Sequence, residues 1–293
     1  MRWLTACLVL TSLAYPALAG PKYGEREVAD LVEIAQAEKQ PEARRARAIR
    51  ELEHTEIRTQ LSLLRRLLRE ERSLDIRLSA ACTLAALGDR KAPRDLLLVS
   101  AYDGSRTPNC SRSDVLLALA RMGDPAAEMH FEKALREDAP PDEPFYYADV
   151  CRALGILNTP GARKLLLRSL REGSSSLRQA VITPLSPLAA DPQAAERDEA
   201  RLLILNAARA DPDEKVAEQA ASALLWCGVD GPGFFRMLGS DPDPKVRARA
   251  ARVMDRHYLS PARLARLRAA LARETDPDAR GAMEKTLASQ SPK

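Results

Sequence analysis

The chain has 293 residues, 45% of them hydrophobic but only 4% aromatic, and carries 45 basic against 41 acidic side chains for a formal charge of +4. That length suits one large or two ordinary domains, and its wealth of Ala, Leu and Arg favours helices. The two signs of charge are interspersed, without the basic block that marks most nucleic-acid binders.

Residues 1–19 read as a secretory leader. Arg2 gives a basic start, an apolar run extends from Trp3 to about Tyr15, and Ala17-Leu18-Ala19 precedes Gly20 as an A-x-A cleavage site would. The run is shorter than the ~20 residues a spanning helix needs. Cleavage after Ala19 is therefore expected, leaving a periplasmic or secreted protein with no stable membrane span. Leu4-Thr5-Ala6-Cys7 looks like an acylation box but lies too early, with almost no apolar segment before it. Beyond the leader stand Cys82, Cys110, Cys151 and Cys227, an even number for an oxidising compartment. Cys82, Cys151 and Cys227 fall in apolar helical patterns. Cys110 lies in a polar loop, where exposure is expected, and a Cys110–Cys151 bridge is one candidate pairing.

Residues 20–40 are expected to form a capping helix, 41–290 a repeat array, and 291–293 a disordered tail. Arg45, followed by Ala48 and Leu52, opens a first copy. The same place is taken by Ile76-Arg77, Ser111-Arg112, Leu177-Arg178, Val216-Ala217, Val246-Arg247 and Ala279-Arg280. Three residues after the second member comes Ala80, Val115, Val181, Ala220, Ala250 or Met283, and seven after it Leu84, Leu119, Leu185, Leu224, Met254 or Leu287. Gly88, Gly123 and Gly228 close three copies, and Gly155 closes a poorer one that starts near Pro144, as suits a left-handed helix C-terminus. The anchors recur at roughly 30 to 40 residues. Each copy leads into a second amphipathic segment, such as APRDLLLVSAY or PARLARLRAALARE, with apolar residues at helical spacing. No segment alternates as a strand would. Stacked helical hairpins would bury all these stripes as one continuous core. Asp before a first-turn Pro, as at 124, 191, 211, 241, 243 and 276, is a helix start; the spacing of a calcium loop is absent.

The unit D-P-D-P-K-V-R-x-x-A-A-x-x-M at residues 241–254 resembles the HEAT-type repeat, in the short variety named after phycobilisome lyases. The resemblance covers about residues 40 to 290. It implies an all-α, right-handed α-α superhelix of the HEAT/armadillo kind, with about seven to eight hairpins and the Val-Arg helices on its concave face. It also implies a ladder between neighbours, made by an acidic residue and the arginine six later. Asp241 and Arg247 fit that spacing, and Glu71 with Arg77 approximates it. Asp211 has Ala217 in the arginine's place, and the copy around Pro144 has neither partner. The expected structural ladder residues are Arg77, Arg112, Arg178, Asp211, Asp241, Arg247, Asp276 and Arg280.

Chemistry has few footholds. His54, His130 and His257 stand alone on helical patterns, without the paired spacing of a zinc site. The di-iron deoxyhypusine hydroxylases, enzymes built on this repeat, present His-Glu dipeptides, and this chain has none. No nucleophile elbow, P-loop or dinucleotide fingerprint occurs. No catalytic residue, metal or cofactor is therefore expected, and the leading expectation is an exported scaffold that binds a protein or peptide along its concave face. A lyase-type or metal-dependent enzyme, or an enzyme subunit, is the alternative. Nucleic-acid binding through the repeated arginines is a third reading. Candidate partner contacts are Phe145, Tyr146 and Tyr147, beside an acidic proline-rich loop, with Arg249 and Arg252 facing solvent or a partner. Phe234 and Phe235 read as core, and residues 102–114 as a mobile insertion.

Overall fold

The computed structural model describes residues 23–55, 60–103, 106–136, 146–226, 228–256 and 259–290. The expected leader, residues 1–19, with Phe145, Cys227, His257 and the expected tail, residues 291–293, lie outside the described residues. Sixteen α-helices follow in order: α1 (Glu25–Gln36), α2 (Glu42–Glu51), α3 (Leu61–Glu70), α4 (Leu74–Ala86), α5 (Arg94–Asp103), α6 (Arg112–Met122), α7 (Glu128–Arg136), α8 (Tyr146–Leu157), α9 (Pro160–Glu172), α10 (Ser175–Ala190), α11 (Arg197–Ala210), α12 (Glu214–Trp226), α13 (Gly231–Ser240), α14 (Pro244–Asp255), α15 (Pro261–Leu271) and α16 (Pro277–Ser289). No strand occurs among the described residues; an isolated bridge joins Thr107 and Cys110. No described helix is long and apolar enough to cross a membrane. The fold is an all-α solenoid of sixteen helices among the described residues.

The chain forms two compact units, one up to Leu165 and one from Leu166, with the division inside α9. In the first, α2, α4, α6 and α8 stack in sequence order, while α1, α3, α5 and α7 pack against that row. In the second, α10, α12, α14 and α16 form the row and α11, α13 and α15 lie against it. The repeated anchors all fall on these rows. A row helix touches neighbours on several sides and is apolar nearly all round: in α4 every residue from Leu78 to Ala85 is buried. Val216, Ala220 and Leu224 of α12, and Val246, Ala250 and Met254 of α14, are likewise buried at the positions the repeat assigns to the core. At the seventh place of α16, however, Leu287 is only half-buried, and Thr286 beside it goes inward. Its hydroxyl donates to the Ala251 carbonyl at 3.0 Å. Thr83 of α4 does the same to Ile49 of α2 at 3.0 Å. Both threonines stand six residues after a repeat arginine, and each joins a row helix to the one before.

Local chemistry sets the helix ends. Ser73, Ser111 and Ser174 cap α4, α6 and α10, each accepting the N–H three residues on. In α6 the carboxylate of Asp114 reaches back to the Ser111 N–H at 3.0 Å, completing a capping box. Asp243 and Asp276 cap α14 and α16 ahead of Pro244 and Pro277. Gly88, Gly123 and Gly228 take φ of 88°, 67° and 70°. Gly155, expected to end its copy in the same way, instead lies inside α8; Asn158, at φ 47°, follows the last helical residue. Asparagine tolerates that conformation through local hydrogen bonding of its side chain. A Cβ added at Gly123 meets nothing within 4 Å, so only backbone conformation opposes substitution. Gly123→Ala is expected to cost about 1 kcal/mol and lower the Tm by roughly 2–4 °C. Gly123→Asn should cost less, and equal losses in thermal melts would show that the left-handed turn is not what the glycine supplies.

Residues 106–111 are not a loose insertion. Asp75, 5% exposed at the start of α4, accepts from the Thr107 hydroxyl, from the Asn109 N–H at 3.3 Å and from the Asn109 side-chain amide at 2.6 Å. Thr107 and Cys110 exchange backbone hydrogen bonds of 2.9 and 3.2 Å. Cys110 is thereby carried inward and is fully buried, contrary to the exposure expected of a polar loop. Its neighbour is Cys82, not Cys151.

Candidate functional site

The charged groups of the repeat act mostly between successive copies. Arg178 on α10 makes a two-pronged ion pair with Asp211, ahead of α12, at 2.7 and 2.8 Å. Arg247 on α14 does the same with Glu274, ahead of α16, at 2.6 and 2.7 Å. In the first unit Arg45 on α2 reaches Glu71, ahead of α4, at 2.6 Å. In all three the arginine belongs to one repeat and the acid to the next. Each acid also accepts a backbone N–H at the start of the following repeat: Asp213 on Asp211, Asp276 on Glu274 and Arg72 on Glu71. The acid therefore links the preceding row helix to the turn ahead of its own.

Electrostatics follow the geometry. Burial works against ionisation of Asp211, but the Arg178 guanidinium and the Asp213 N–H outweigh it and hold the carboxyl below its usual range. Glu71 is lowered in the same way, against burial, by Arg45. For Glu274 the hydrogen bonds from Arg247 lead, and the carboxyl is drawn down to about 2.

A second feature faces outward. Val99 and Tyr102 lie three residues apart on one face of α5 and are 60% and 63% exposed. Met129 on α7 is 62% exposed, one turn from Lys133. The Lys133 ammonium donates to the Tyr102 carbonyl at 2.8 Å and sits 5.1 Å from the centre of its ring. His130, buried on α7, meets the same ring edge-on at 6.3 Å, and burial followed by the charge of Lys133 pushes its basicity down. These contacts lock Tyr102 to α7 while leaving its ring largely in solvent. Tyr102 thus joins α5 to α7, and Val99 on α5 and Met129 on α7 stay exposed.

Residues 200–288 match the family model for HEAT repeats. No curated protein matches the chain. Among solved structures, human deoxyhypusine hydroxylase in complex with glycerol aligns over 98% of this chain and 97% of its own, at 18% identity and a TM-score of 0.27. That likeness is too slight to bear on fold or chemistry.

Within residues 200–288, Asp211 and Asp241 are not the helix caps; Asp213 and Asp243, two residues on, receive the first helical N–H groups. Asp241 instead pairs with Arg209, from the last turn of α11, at 2.7 Å. Ala217 stands where a ladder arginine would otherwise come from α12, and Arg209 takes its place. Asp276 is a cap, and Glu274 is the acid that meets Arg247. Arg280, in the last repeat, turns to its own helix and pairs with Glu284 at 3.0 Å. Earlier in the chain Arg77 donates to the Leu68 carbonyl at 3.3 Å, so Glu71 pairs with the arginine of the preceding copy rather than with Arg77. Arg112 lies over the Tyr146 ring at 5.9 Å.

The expected partner contacts fare differently. Arg249 is 7% exposed and grips Glu214 at 2.6 Å and the Ala208 carbonyl at 2.7 Å, so it is an internal brace and not a ligand-facing arginine. Arg252 is half-exposed but pairs with Glu214 at 2.7 Å. Tyr146 is 1% exposed, because its ring serves as core at the start of α8. Tyr147 is half-buried with its ring 5.7 Å from that of Tyr146. Phe234 is core, as its pattern requires, while Phe235 is half-buried beneath Arg266 at 4.4 Å. The α5–α7 face escaped sequence reasoning because Val99 sits inside an unbroken LLLVSAY run, where periodicity cannot tell the inward side from the outward one. Among the described residues no group of three or more His, Cys, Asp or Glu side chains could hold a metal ion.

Proposed function

We propose that the mature chain is an exported, non-catalytic helical-repeat scaffold that binds another protein through the apolar face of α5 and α7. The observation that carries this reading is the joint exposure of Val99, Tyr102 and Met129 on two adjoining helices. Clusters of exposed large side chains mark contact surfaces, and tyrosine is among the residues in which binding energy concentrates. The fixed position of Tyr102 lowers the ordering entropy that a partner must overcome. The charged groups support the same reading. Proton transfer near neutral pH needs a group whose pKa lies near the operating pH. The repeat carboxylates Asp211, Glu214 and Glu274 are instead held low by guanidinium partners, while burial raises Asp149 on α8. The repeat arginines Arg249, Arg252 and Arg256 face Glu214 and Glu218 of the neighbouring repeat, which offsets the charge a phosphate backbone would need.

The test pairs a double variant, Tyr102→Glu with Met129→Glu, against the control Leu202→Glu, an equally exposed apolar residue on α11. Proteins crosslinked to the tagged chain in cells are quantified by mass spectrometry. A partner recovered with wild type and the control should fall at least about tenfold with the double variant, since two anchors worth roughly 1 kcal/mol or more each are lost. Equal recovery from all three chains rejects the α5–α7 face. Stoichiometric iron or zinc in the purified protein would reject the scaffold-only reading, and a mature N-terminus other than Gly20 would reject cleavage after Ala19.

A further inference from the structure

Two thiols meet in the interior of the first unit. The sulfurs of Cys82, on α4, and Cys110, in the segment before α6, are 3.3 Å apart, and both side chains are buried. Their approach is supported from several sides. Asp75 and Cys82 are seven residues apart, two turns of one helix, and so share a face. The segment 106–111 runs along that face: its Thr107 and Asn109 are held by Asp75, and its Cys110 meets Cys82. Beyond Cys110 the capping box of Ser111 and Asp114 fixes the chain as it enters α6. Behind the pair, the Arg50 guanidinium joins Asp114 at 2.7 Å. A disulfide needs its sulfurs at ~2.05 Å, so closure asks for a sulfur movement of about 1 Å between backbones that are already anchored.

We propose that Cys82 and Cys110 close into a disulfide by exchange with a disulfide donor, and that this bridge staples residues 106–111 to α4. The donor is a small-molecule disulfide or the oxidised dithiol of an oxidoreductase. One cysteine thiolate attacks a donor sulfur, forming a mixed disulfide and releasing one donor thiol. The other cysteine thiolate then attacks the protein sulfur of the mixed disulfide and releases the second donor thiol. The two cysteine sulfurs are oxidised, the donor disulfide is reduced by the same two electrons, and the two cysteine protons end on the two donor thiols. In the closed structure the Cys110 thiol is held far above its ordinary range, first by its hydrogen bond with Cys82 and then by burial. The thiolate is the attacking species, so exchange belongs to the folding chain or to a state with segment 106–111 lifted, and the finished bridge is shielded from reduction. The pairing also separates the cysteines by role: Cys151, buried in α8 with its thiol pushed up to about 12 by desolvation, stays a packed core residue.

The bridge needs a donor, which the proposed export would supply and which the experiment adds directly. The full chain is unfolded, refolded in a reduced/oxidised glutathione mixture, alkylated and digested with trypsin. The expected product is peptide 78–90 joined to peptide 107–112, lost on reduction and retained in Cys151→Ser. Native proteolysis after Arg106 should slow at least about tenfold in the oxidised form, because the open state of a stapled segment is suppressed. The Tm of oxidised wild type should exceed that of reduced wild type by several degrees, whereas Cys82→Ser should melt alike under both conditions. Peptides 78–90 and 107–112 both fully alkylated after equilibration, or Cys110 joined to any other cysteine, overturns the proposal. Bridging in the glutathione mixture together with free thiols in protein taken from cells upholds the pairing and counts against export instead.

Discussion

Leu224→Asp is expected to unfold the middle of the second unit. Leu224 lies on α12 with no exposed surface, between α11 behind it and the row helices α10 and α14 on either side. An aspartate there loses the leucine's packing and buries a carboxylate in an apolar site. The two penalties together amount to more than about 4 kcal/mol. In a solenoid each repeat draws its stability from its neighbours, so damage should spread first to α11, α13 and α14. Amide exchange, read helix by helix, should show lost protection there, and circular dichroism should show lost helicity with a broadened melt. Leu84→Asp makes the parallel case in the first unit, where α4 is buried on nearly every side. Full helicity and a sharp melt in either variant would show that these leucines do not carry the core.

The second large effect belongs to Glu274, and pH tests it. Its carboxyl is lowered from an unperturbed 4.5 to about 2, chiefly by hydrogen bonds from Arg247. A group whose folded pKa is depressed contributes stability that is present in full above the unfolded pKa. That contribution is lost as pH falls through the folded pKa. The window is therefore pH 4.5 down to about 2. At pH 7 Glu274→Gln should destabilise the second unit by roughly 2–3 kcal/mol. The gap between variant and wild type should narrow below pH 4.5 and close near pH 2. A gap that persists unchanged at pH 2 would mean that glutamine disturbs packing or backbone hydrogen bonds and that charge has little to do with it. Arg178→Ala offers an independent check on the equivalent pair, since it leaves Asp211 buried without its guanidinium.

The helical array is legible in the sequence because an apolar stripe at helical spacing recurs every 30 to 40 residues, mostly behind a cap and in three copies ahead of a closing glycine. The core positions Val246, Ala250 and Met254 follow directly from that stripe. The ion pairs are only half legible. An arginine can be counted from the anchor, but its partner lies a whole repeat away, and long side chains choose among several acids within reach. Asp276 and Glu274 are two residues apart, and spacing alone cannot say which caps the helix and which meets Arg247. Arg209 as a stand-in for the missing arginine at position 217 is likewise visible only when α11 and α14 are brought together. The contact residues are least legible of all. Aromatic and arginine side chains serve equally well as core or as surface, and the degenerate copy at Tyr146 uses its ring to fill space. The burial of Cys110 comes from Asp75, thirty-five positions upstream, which turns a polar loop into an interior strap.

The placement of each acid one repeat downstream of its arginine bears on how such a chain can change length. Arg178 meets Asp211 because that aspartate sits two residues before the cap of the next row helix, and Asp241 occupies the same place one copy later. Excision of residues 211–240 would therefore set Arg178 opposite Asp241, with the same turn and the same backbone N–H donor waiting. That one ion pair carries no address of its own, so a copy can be lost or gained by unequal recombination with the pair restored. Arg249, which grips Glu214 inside the excised stretch, would be left to find a new acid.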